Sequence, residues 1–330
     1  MESSNELLWY ALSVVAFPAL IAWLAAMPAL VGPLRTRRAA VEMSVAFALA
    51  LAFLVSFVSE LEVGALTHQF PWSPLDPSAP IERWHRLALI ALALCVLAPV
   101  LAGSRELATC GMDRLLSAKF IVIASLCVGL LVEFPESTAL RQWMQALLCA
   151  VSAYYYSRLG GAALWVSAIV FASLAALTLL AGCASFAVMC AATSLAAFGM
   201  AIIAALGAWR NPRAVAIVSG GAFALVAGIL TASVAMAGRA YDMMSIPVWV
   251  WPAVACLPVG GFVFDRLARR APHRAAATFW RTLGVFLLAI VLFVAVMVLQ
   301  AADSKEGEGG TDPMDGIYGF FSETIRATFS

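Results

Sequence analysis

GAALWVSAIVFASLAALTLLAGCASFAVMCAATSLAAFGMAIIAALGAW, residues 161–209, contains no charged residue. A helix needs roughly 20 apolar residues to cross a hydrocarbon core. The stretch is too long for one crossing and suits two. Gly182, in GCAS at 182–185, marks the place to reverse, because glycine reaches backbone angles that other residues resist. The expectation is a helical hairpin with arms at 161–181 and 185–207.

Composition carries this reading to the rest of the chain. The 330 residues are 63% hydrophobic and 12% charged, with a mean hydropathy of +0.94. An ordinary soluble domain has about a quarter of its residues charged. So few polar side chains cannot clothe a soluble surface. The fold class expected is all-α: a polytopic transmembrane helix bundle with no folded soluble domain. Breaks rich in charge, proline or glycine divide it into ten spans, at 7–31, 40–59, 86–103, 117–134, 139–157, 161–181, 185–207, 213–238, 246–264 and 277–301. The fifth is the least apolar, with Arg141, Gln142 and Gln145 in its first turns. Residues 1–301 form the membrane domain. Residues 302–330 read as a polar linker, DSKEGEGG, and a short amphipathic tail facing outward.

Charge supports the threading. Arg35, Arg37, Arg38, Arg105, Arg114, Lys119, Arg158, Arg210, Arg213, Arg266, Arg269, Arg270, Arg274 and Arg281 fall on odd-numbered loops. Only Arg83, Arg86, Arg141, Arg239, Lys305 and Arg326 fall on even loops and termini. Acidic residues divide the other way, with only Glu42, Glu106, Asp113 and Asp265 on the basic side. Basic loops stay in the cytoplasm. The expectation is therefore an integral cell-membrane protein, of bacterial inner-membrane type, with both termini outside. The acidic start Met1–Glu6 does not resemble a cleavable signal peptide.

Several stretches offer sites. PWSPLDPSAPIERWH, residues 71–85, reads as an extended outer flap, since its four prolines forbid helix. It brings Asp76 and His85 near Glu60, Glu62, Glu133 and Glu136, a candidate outer polar cluster. Carboxylates and an imidazole could serve acid–base chemistry or a cation. No spacing matches a known ligand pair, and no metal is expected. SIPVWVWPAVACLPVGG, residues 245–261, combines three prolines with paired glycines, so the ninth span should be broken. Its candidate cavity-lining residues are Trp249, Trp251, Pro252, Pro258 and Gly260. Arg266, Arg269, Arg270 and Arg274 would meet anionic lipid headgroups. Nucleic acid is not expected, because no reader module accompanies these arginines. YYYSR, residues 154–158, reads as an interfacial belt.

Ala216, Gly220, Ala224, Gly228 and Ala232 form a smooth stripe for close helix packing. Packing within the bundle is the main reading and a homodimer through Gly220 and Gly228 the other. Membrane lipids are the expected partners, with a membrane protein partner as a further option. Seven scattered cysteines suggest neither disulfides nor a cluster, and no cofactor motif is present. Ionisable residues are almost absent from mid-span positions, which disfavours a proton relay. Three functions follow: a transporter or permease for a small neutral or lipid-like solute, a non-catalytic scaffold or assembly subunit, and an outer-leaflet enzyme.

Overall fold

The computed structural model describes residues 9–31, 38–66, 87–96, 122–129, 139–210, 221–244, 246–271 and 273–306. Among them every regular element is helical. The helices are α1 (Trp9–Leu30), α2 (Arg38–Leu66), α3 (Leu87–Val96), α4 (122–129), α5 (Ala139–Arg158), α6 (Ala163–Leu180) and α7 (Ala184–Arg210). They continue as α8 (Gly221–Ala240), α9 (Val250–Ala255), α10 (Asp265–Arg270) and α11 (Arg274–Glu306). The all-α membrane-type bundle stands, but the described residues do not support ten spans. Among the described residues six helices are long and apolar enough to cross a membrane: Trp9–Leu30, Ala40–Glu60, Gly160–Leu180, Ala184–Gly207, Gly221–Ala240 and Ala275–Leu299.

Of the remaining four expected spans, the third and fourth lie partly outside the described residues, which cover them only over α3 and α4, and the other two differ for identifiable reasons. The fifth, α5, is a continuous helix of 20 residues, but Arg141, Gln142 and Gln145 lower its apolarity. The ninth is discontinuous. Pro252 and Pro258 cannot donate backbone hydrogen bonds, and the segment divides into α9 and a 3-10 turn, Leu257–Phe262. It still connects the two ends of the bundle, reaching Gly238 through Trp251 and Leu159 through Gly261.

The hairpin at Gly182 forms as expected, with φ at +80°. Proline explains a second local feature. Pro18 has no N–H for the Val14 carbonyl four residues before it. A π-helical turn covers Leu12–Ala16, and the Ser56 hydroxyl on α2 donates to that carbonyl at 2.7 Å. Hydrogen bonds also fix helix ends on two opposite faces. On one, the Tyr10 hydroxyl and Ser185 Oγ both donate to Glu60, the latter at 3.0 Å. Met243 N–H donates to the Ala181 carbonyl at 3.1 Å on the same face. On the other, Arg281 donates to the Leu159 carbonyl and to Asp265, both at 3.1 Å. The tail joins this frame without a break at 302, since α11 runs on to Glu306. Helix α8 is the axis: 94% of its spanning window is buried.

Candidate functional site

The polar interior lies where α5 meets the axial helix. Gln145, Cys149, Ser152 and Tyr156 recur at intervals of four, three and four residues, so they share one face of α5. All four are buried. Gly228 lets α5 and α8 come together. A Cβ added there would lie 2.4 Å from Ala153 N and 2.5 Å from its Cα. The Tyr156 ring packs edge-on to Phe223, with centroids 6.2 Å apart. Its hydroxyl turns toward Thr231 on α8 and Ser167 on α6. The Cys149 thiol turns toward Ser233.

Hydroxyls among the described residues fall into three kinds. Ser167, Ser173, Thr178 and Thr193 donate to carbonyls four residues back in their own helices, at 2.9, 2.9, 2.7 and 2.8 Å. Such bonds satisfy the hydroxyl locally. Ser194 instead crosses to the Ala168 carbonyl at 2.7 Å, joining α7 to α6. Ser152 Oγ, Tyr156 OH, Thr231 Oγ1, Ser233 Oγ and the Gln145 side-chain amide nitrogen close no hydrogen bond among the described residues. A buried polar group without a partner costs about 1–3 kcal/mol, and the large majority of buried side-chain polar atoms in native proteins are paired. Five open groups along one interface therefore stand out. At 1.5 Å per residue, the α5 stripe extends over roughly 16 Å, about half a hydrocarbon core. It is uncharged: the α5 arginines sit near its ends at Arg141 and Arg158, and Arg239 is in the last turn of α8.

The broken segment packs beside this interface. Trp251 is fully buried, and a Cβ on Gly238 would fall 2.2 Å from its ring. Gly260 lies against α11, where a Cβ on Gly284 would meet the Gly260 carbonyl oxygen at 2.3 Å. Pro258 is buried, Pro252 half-buried and Trp249 exposed. Trp251 Nε1 also lacks a partner among the described residues.

The other expected site residues are placed as follows. Glu60 is tied between Tyr10 and Ser185. The side chain of Glu62, and Asp76, His85, Glu133 and Glu136, lie outside the described residues. Arg266, Arg269 and Arg270 are exposed on α10, and Arg269 pairs with Asp265 at 2.5 Å. The Arg274 side chain and Gly220 are not among the described residues, while Gly228 packs inside the chain against Ala153. Among the described residues no group of three His, Cys, Asp or Glu could hold a metal ion. At the hairpin turn, burial and then the Asp242 charge push the Cys183 thiol up to about 11. It donates to the Tyr241 carbonyl at 3.1 Å.

A second, apolar feature lies at the hairpin. An open groove of about 670 Å³ is lined by residues that include Trp165, Ile169, Ala172, Ser194 and Phe198.

The belt expected over residues 154–158 divides between two faces, since Tyr154 is exposed and Tyr156 is fully buried. The four-three-four spacing of Gln145, Cys149, Ser152 and Tyr156 is the sequence signal of the buried face. Compared with known proteins, the chain matches no family model, no curated sequence and no solved structure.

Proposed function

We propose that this chain is a permease for a small neutral solute. One observation carries the reading: the uncharged line of open hydroxyl and amide groups between α5 and α8, at the centre of a membrane-type bundle. A neutral solute leaves its hydration shell on entering the membrane, and such groups can replace the lost hydrogen bonds. The discontinuous segment beside them fits this use, since broken helices commonly border substrate sites in carriers. In this reading α5 and the Val250–Phe262 segment also cross, and two further crossings contain α3 and α4, which makes ten. The basic face, with Arg266, Arg269 and Arg270, lies against anionic headgroups in the cytoplasm of a bacterial inner membrane, and both termini are outside.

Purified full-length protein in lipid vesicles tests the proposal. Vesicle shrinkage and reswelling in a panel of neutral solutes, followed by light scattering, should be faster than in protein-free vesicles for at least one solute. Equal rates across the panel would overturn it. The groove at the α6–α7 hairpin favours a second reading, a carrier of lipid-like molecules, because an acyl chain matches its apolar walls. Lipid scrambling by the same vesicles tests that alternative.

A further inference from the structure

We infer that Ser152 and Tyr156 on α5, with Thr231 and Ser233 on α8, bind a small uncharged hydroxylic molecule: a short polyol, or water held in file. This deepens the permease reading, and rests on it for the claim that the ligand also passes through. It selects among the solutes that reading allows. Each hydroxyl can both donate and accept, and so can each hydroxyl of a polyol. The fit is chemical and two-way.

Three observations converge. All four side chains are at most 1% exposed, so bulk water does not serve them. None closes a hydrogen bond of ordinary geometry among the described residues, although Tyr156 faces Thr231 and Ser167 and Ser233 faces Cys149, whereas nearby serines and threonines on α6 and α7 close onto their own backbone. They also fall together across the contact, with Tyr156 toward Thr231, Cys149 toward Ser233, and Thr231 and Ser233 only about 3 Å apart along α8 from the rise per residue. An ion would find no counter-charge along the stripe, and an acyl chain would leave every hydroxyl unpaired.

Thermal unfolding of the detergent-purified full chain tests this with glycerol as probe. Glycerol stabilises proteins generally by exclusion, so the readout is the difference between wild type and the double variant Tyr156→Phe/Thr231→Val. Specific binding should give wild type about 2 °C more stabilisation at a concentration some tenfold above its dissociation constant. Equal shifts with glycerol overturn a polyol site. Water is then tested by the variant's own melting point. Removing a hydroxyl that holds water lowers it, whereas removing an unpaired one raises it. Equal shifts and a raised melting point together reject the proposal. If the double variant does not fold, Ser152→Ala is measured in the same way. Binding without vesicle flux would retain the site and reject the permease. Flux that the variants leave unchanged would retain the permease and reject the site.

Discussion

At the scale of single residues, glycines set the helix separations, and their substitutions should rank by what a new Cβ meets. On Gly284 it would meet the Gly260 carbonyl oxygen at 2.3 Å, and on Gly228 the Ala153 backbone at 2.4 Å. Backbone cannot rotate away, so both chains must separate. Gly284→Ala and Gly228→Ala should each cost about 1–3 kcal/mol or more. On Gly161 the nearest atom is Thr278 Oγ1 at 3.1 Å, a side chain that can turn aside, so Gly161→Ala should cost much less. Melting of the three variants in detergent checks the order, and a Gly161→Ala loss equal to that of Gly228→Ala would contradict it. Cys183 offers a prediction of reactivity. With its thiol pushed up to about 11, only about one molecule in a thousand is thiolate near pH 8. Alkylation of a variant retaining Cys183 alone should therefore rise roughly tenfold per pH unit up to that value.

At the scale of elements, side chains complete backbone that proline or a helix end leaves open. Ser56 replaces the N–H that Pro18 lacks, so Ser56→Ala should destabilise the α1–α2 pair by about 1–3 kcal/mol. Restoring a donor through Pro18→Ala in the same chain should recover part of the loss. The Arg281 clip joins α10, α11 and the end of α5. Burial opposes ionisation of Asp265, but hydrogen bonds from Arg269 and Arg281 and then their charges outweigh it. Together they hold the carboxyl below its ordinary 3.8. The stabilisation is complete above that ordinary value and is lost as pH falls through the lower folded one. Asp265→Asn should therefore melt below wild type near neutral pH and converge with it as pH falls below 3.8. A gap that persists unchanged at the acid end would show that charge is not the cause.

At the scale of the whole molecule, the bundle has two chemically distinct ends. Glu60, Tyr10, Ser185 and Asp242 lie at one, and Asp265, Arg266, Arg269, Arg270 and Arg281 at the other. In a chain freed of its native cysteines, Asp242→Cys should react with a membrane-impermeant reagent from outside the cell. Arg270→Cys should react only after the membrane is opened. The reverse pattern would invert the proposed orientation and keep the fold.

The sequence alone determined the class of molecule, the hairpin at Gly182 and the break in the ninth segment. Each rests on local causes: run length against membrane thickness, glycine's backbone freedom, and proline's missing donor. It did not establish ten spans: polar residues in α5 lower the signal that a hydropathy reading uses, and prolines divide the ninth segment. Nor did it single out Tyr156 from its neighbours, since a belt residue and a core residue differ only in the face they occupy. Tertiary structure decided that Tyr156 points at Thr231 while Tyr154 stays exposed, and that Gly228 serves α5 within the chain. Which hydroxyls remain open is likewise a property of helices brought together. A serine can always bond its own helix, and only packing shows which ones do not.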